Sequence, residues 1–166
     1  SAAKAATEMA ESSKRKKWAG CTIEPPTTKW PADKGYACFL SHYKMEAASD
    51  ARYIHDCLRK MLGCPIYFDS STLSDLRTLF TDGVDESDCI VLLATEGVLT
   101  RPWCLLEILM AARSGVPVLP IGLTAHTLDP GRARDYVENL EIKMGASNPA
   151  ALSLLMEHTD DNLDEL

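Results

Sequence analysis

The sequence predicts an α/β domain, an open, mainly parallel sheet of four to five strands with helices on both faces. Three observations predict it. Short apolar runs alternate along the chain with longer segments of helical period, the signature of strands joined by crossover helices. The runs are apolar nearly throughout, as strands must be when helices cover both faces of a sheet. Helix signals agree: Gly63 and Gly115 stand where helices should stop, and Pro102 and Pro149 where helices should begin.

Residues 1–34 (SAAKAATEMAESSKRKK, then EPPTTKWP) carry no sustained apolar period and read as a flexible tail or linker, with room for some helix near the start. Trp18 and Trp30 are expected to hold that tail against the domain, which spans 35–166. YACFLSH (36–42) reads as a buried strand, and EAASDARYIHDCLRKMLG (46–63) as a helix with Ala47, Ala51, Ile54, Leu58, Met61 and Leu62 at helical spacing. CPIYFD (64–69) is a second short strand, followed by the polar loop SSTLSD. LRTLFTDGVDES (76–87) reads as a short helix weakened by Gly83, and DCIVLLAT (88–95) as the clearest strand. RPWCLLEILM (101–110) opens a helix that runs to Ser114, with Thr100 as its cap. VPVLPIGL (116–123) is a fourth strand, its two prolines predicting an edge position or an early end. One helix near 132–144 and another opened by Asn148 and Pro149 complete the chain.

Composition narrows the function classes. The 166 residues suffice for one domain with a real core. The chain opens on serine, which predicts a piece of a longer protein. The net charge of −7 is uneven: residues 1–34 hold seven Lys/Arg against four Asp/Glu, leaving ten against twenty, or −10, in the domain. A domain so acidic is unsuited to gripping a phosphate backbone, so no nucleic-acid partner is expected, and KRKK (14–17) reads as a solvated tail segment. No run approaches the ~18 apolar residues that span a bilayer, so no membrane partner is expected either. Six cysteines at 21, 38, 57, 64, 89 and 104 form no C-x-x-C pair, which predicts reduced thiols, a cytoplasmic setting and no metal site.

One carboxylate stands out. Between Arg101 and Arg113, Glu107 is the only charge, among large apolar neighbours where burial is costly unless something pairs with it. The common order for such a sheet is 2-1-3-4-5, which places ligands outside the carboxyl ends of strands one and three, where the order reverses. The loops there are His42-Tyr43-Lys44-Met45 and Thr95 to Arg101, and the second leads into the helix of Glu107. Trp103 lies four residues before Glu107, on the same side of that helix. The spacing alone admits two readings: a flat ring beside a carboxylate in a ligand crevice, or a packed tryptophan beside an ion-paired glutamate.

FLSHYK (39–44), YFDSSTLSDL (67–76), DCIVLLAT (88–95) and above all RPWCLLEI (101–108) resemble Toll/interleukin-1 receptor (TIR) domains in order and spacing, over about residues 35–145. The resemblance implies a flavodoxin-like fold and one of two activities. Some TIR domains are scaffolds that self-associate in innate-immune signalling. Others cleave NAD⁺ at the nicotinamide–ribose bond, giving nicotinamide and ADP-ribose or a cyclic form, with the glutamate of W-C-x-x-E as catalytic residue, here Glu107. NAD⁺ is then the substrate and no separate cofactor is needed. By position, Ser41, His42, Tyr43 and Lys44 would hold the substrate, with Lys44 at the pyrophosphate and His42 either there or structural. Asp69, Ser70 and Leu73 would shape the pocket and mediate assembly between subunits. Trp103 would flank the nicotinamide end, and Cys104 would pack within the motif. The loop after strand two lacks glycine and no tryptophan follows Gly122, which separates this chain from receptor-type TIR domains and favours the enzymatic reading.

The chemistry accommodates a single carboxylate. Ordinary glycosidases need two, one of them to protonate a poor leaving group. Nicotinamide leaves NAD⁺ as a neutral molecule, so only stabilisation of the cationic ribose and a hold on its hydroxyls remain, within reach of one carboxylate between low-dielectric walls. Apolar neighbours are expected to raise the pKa of that carboxyl.

Overall fold

The computed structural model describes residues 16–18, 21–23, 34–68, 79–124, 126–159 and 163. Within the segment read as tail, strands β1 (Lys16–Trp18) and β2 (Cys21–Ile23) pair antiparallel. Among the described residues the main sheet has four parallel strands, β3 (Cys38–Ser41), β4 (Ile66–Tyr67), β5 (Ile90–Leu93) and β6 (Val118–Ile121), in the order β4-β3-β5-β6. This is the 2-1-3-4 arrangement expected of the apolar runs, and it reverses direction between β3 and β5.

Alternation along the strands divides the core in two. Cys38, Leu40, Val91 and Leu93 face helix α1 (Lys44–Leu62), packing on Ala47 and Ala51. Phe39, Ile90 and Leu92 face the other way, toward helix α2 (Pro102–Ser114), packing on Cys104 and Ala111. Both faces of the central strands β3 and β5 are thus covered, which is why these strands lack an alternating polar pattern. A third cluster joins Leu105, Leu106 and Leu109 of α2 to helices α3 (Pro130–Glu138), α4 (Leu140–Ser147) and α5 (Pro149–His158), chiefly through Leu140, Met144, Ala151 and Leu155.

Helix ends follow their signals. Gly63 and Gly115 adopt left-handed φ of 65° and 68° and close α1 and α2, while Asn148 accepts the Ala151 N–H at the start of α5. Other boundaries differ from expectation. Thr100 lies in a 3₁₀ turn, Val98–Thr100, and donates its hydroxyl back to the Gly97 carbonyl, so Arg101 holds the cap position of α2. The helix expected over 132–144 is broken at Asn139, whose amide donates to the Asp135 backbone carbonyl and side chain, a local bond that competes with helix propagation. The first turn of α1 meets the remainder at a non-helical residue, Ala47, with φ −135° and ψ 17°.

Two features complete the sheet. β6 is an edge strand, as its prolines predicted. The carbonyls of Pro117 and Ile121 accept from β5, so the intervening Pro120 faces the outer edge, where its missing N–H breaks no ladder bond. The short helix expected over 76–87 is a π-helical stretch, Leu79–Asp85, with 76–78 outside the described residues. Its Gly83 is buried, and a Cβ there would stand 2.9 Å from the Phe39 ring and 3.1 Å from that of Tyr67.

Two stability tests follow from this packing. Gly83→Ala should cost about 1–3 kcal/mol in chemical denaturation, because Phe39 and Tyr67 are stacked on each other and cannot both yield. Burial, with Cys89 and Cys64 nearby, pushes the Cys38 thiol from 9.0 up to about 12. Above its ordinary value the thiol ionises in the unfolded chain while the folded one keeps its proton, so stability should fall as pH rises from 9.0 toward 12. Cys38→Ala should flatten that fall, as read from denaturation midpoints against pH.

Candidate active site

Strand parity brings the odd carboxylate to its partner. Ser41 follows Phe39 by two residues, so it faces α2 from the carboxyl end of β3. On α2, Cys104, Glu107, Ile108 and Ala111 form an i, i+3, i+4, i+7 stripe, and Cys104, Ile108 and Ala111 pack in the sheet-facing cluster. The two meet: the Ser41 hydroxyl donates to Glu107 Oε2 at 2.5 Å, with Ser41 1% and Glu107 6% exposed. Glu107 is therefore buried and held by a hydroxyl.

The two loops at the reversal are fastened together around this pair. Glu46, in the first turn of α1, accepts the Gly97 N–H at 3.0 Å, and a Cβ on Gly97 would stand 2.6 Å from that carboxylate. The Arg101 guanidinium lies 5.0 Å from the centre of the Tyr43 ring. The Cys104 thiol donates to the His42 carbonyl at 3.6 Å. Burial and the adjacent Glu107 push that thiol well above its ordinary range, so Cys104 is a neutral packing and donor group.

The other expected site residues are spread around this frame. His42 is half-buried, with its ring stacked on Phe68 at 5.3 Å. Tyr43 precedes α1, and Lys44 is exposed as the first residue of that helix. Trp103 is half-buried and packs toward the third cluster, with Leu99 and Tyr136. Asp69, Ser70 and Leu73 lie outside the described residues. Sequence reading missed Glu46, Gly97 and Arg101 as the fastenings of the crevice. Glu46 looked like any first-turn acid, and only the meeting of the two loops distinguishes it.

The frame can be compared with known proteins. No protein-family model and no curated protein matches the chain. Among solved structures it is similar to the TIR domains of the activated Roq1 resistosome, which directly recognises the pathogen effector XopQ. The TM-score is 0.50 at 16% identity, over 71% of this chain and 78% of that one. The chain has a TIR-like fold. In this TIR-like fold Ser41 and Glu107 sit at the carboxyl ends of the strands, where open α/β sheets bind ligands. Among the described residues no helix is long and apolar enough to cross a membrane, and no His/Cys/Asp/Glu group is placed to hold a metal ion.

The buried pair should be measurable without any substrate. A double-mutant cycle of Ser41→Ala and Glu107→Gln, read by chemical denaturation, should give a coupling of about 1–3 kcal/mol, the range for a buried bond to a charged group.

Proposed function

We propose that this domain cleaves NAD⁺ at the nicotinamide–ribose bond, releasing nicotinamide together with ADP-ribose or a cyclic ADP-ribose. The observation that carries the reading is the buried Glu107 carboxylate, fixed by Ser41 at the β3–β5 reversal inside a W-C-x-x-E helix. As the bond breaks, electrons pass to the nicotinamide ring, which leaves neutral, and the ribose becomes cationic. Water then adds to that carbon and loses a proton to give ADP-ribose, or a nucleophilic atom of the same molecule adds instead to give the cyclic form. Glu107 stabilises that charge in surroundings too apolar for water to screen it. Ser41 acts as a positioning residue, holding one carboxylate oxygen so that little reorganisation is needed when charge develops. Lys44 and the residues of the β3 loop meet the substrate's phosphates and sugars, and a neighbouring subunit completes the crevice. Assembly is part of the proposal, as the likeness to TIR domains in a resistosome supports, and so is a role in immune-type signalling in the cytoplasm.

A second reading, a self-associating scaffold without catalysis, also has an observation in its favour. Leu119 and Ile121 on edge strand β6 are 52% and 39% exposed. Opposite Val91 and Leu93 in register, they leave an apolar strip of the α1-facing side uncovered. That reading predicts assembly with NAD⁺ left intact.

Nicotinamide release at high protein concentration tests both. The wild type should release nicotinamide, and Glu107→Ala should slow release by at least ~10²-fold, the scale for losing one preorganised electrostatic group. Equal release by the two proteins at every concentration removes the enzymatic proposal. Replacing Leu119 and Ile121 by lysine should weaken concentration-dependent association in sedimentation, while the monomer's melting temperature stays within a few degrees.

A further inference from the structure

The carboxyl-terminal half of α1 borders a groove that the crevice does not use. It holds about 490 Å³ and is lined by His55, Arg59, Gly63, Cys64, Pro65 and Ile66. It opens beside the start of β4, at the amino ends of the strands and so at the far end of the sheet from Glu107. Its volume lies within the range of sites for small molecules.

The lining has two characters. Arg59 is exposed, and its guanidinium forms no ion pair among the described residues. His55 stands four residues earlier on the same side of α1 and is 8% exposed. Its ring is held in place, with Nδ1 3.1 Å from Asp56 Oδ1 and its plane against Phe68 at 5.1 Å. Cys64, Pro65 and Ile66 supply the apolar wall. Burial and the nearby Asp88 raise the Cys64 thiol, which keeps that wall neutral. Among the described residues no Asp or Glu lines the groove itself, in a chain whose net charge is −7; Asp56 is engaged by His55 and Asp88 stands behind Cys64.

We infer that this groove binds a small molecule that joins an oxyanion, phosphate or carboxylate, to a compact apolar body. The guanidinium of Arg59 offers two parallel N–H donors to the oxyanion, a pairing that a carboxylate or phosphate fits. The held imidazole of His55 fixes the orientation, and the body lies on Pro65 and Ile66. The inference does not rest on NAD⁺ cleavage.

Titration of the full chain, followed by amide NMR shifts, tests it with phenyl phosphate, benzoate and uncharged benzamide as probes. Phenyl phosphate or benzoate should give saturable shifts at Gly63, Cys64 and Ile66, and whichever binds more tightly names the oxyanion. Arg59→Gln should weaken that binding at least ~10-fold with an unchanged melting temperature, as loss of a charge-assisted pair implies. Glu107→Ala should bind like the wild type, so the result stands whatever the crevice does. Absence of saturable shifts with either oxyanion, equal binding of benzamide, or undiminished binding by a folded Arg59→Gln would overturn the inference.

Discussion

The hydrogen bond from Ser41 to Glu107 is the constraint around which this half of the molecule is arranged. A carboxylate on a helix packed against a sheet must be solvated by something, and water is largely kept from it. One serine hydroxyl can reach it only if β3 ends in the right phase, because a single-residue shift would turn Ser41 to the α1 side and take its hydroxyl away from Glu107. Register, the stripe on α2 and the placement of the crevice are thus one requirement.

The fastenings around the pair serve the same end. Glu46 to Gly97, Arg101 over Tyr43 and Cys104 to His42 each join the loop after β3 to the segment after β5. Three contacts of different kinds hold the two strand ends that supply Ser41 and Glu107. A frame held in this way keeps a carboxylate in place before any ligand arrives, which is what electrostatic stabilisation of a developing charge demands.

Much of this was legible in the residues. The fully apolar runs announced a covered parallel sheet, Pro117 and Pro120 announced its edge, and Gly63 and Gly115 announced two helix ends, because each signal is local. Glu107 stood out for the same reason, as one charge in a long apolar stretch. Its partner did not, since Ser41 and Glu107 are 66 residues apart and only topology joins them. Asn139 was read as an ordinary helical residue because its side chain competes for the backbone only once the turn has formed. Gly83 looked like a weak point in a helix, yet its function is to admit the stacked rings of Phe39 and Tyr67, which arrive from strands β3 and β4.

Helix α1 touches both the crevice, through its first turn, and the far groove, through its last. The non-helical Ala47, itself buried, lies between that first turn and the rest, so the direction of the shaft differs from that of the fastened turn. From Ala47 to Gly63 the shaft is roughly 24 Å at 1.5 Å per residue. The helix is therefore a spacer: its shaft, packed on the sheet through Ile54, Leu58 and Leu62, sets Arg59 well away from the fastened first turn.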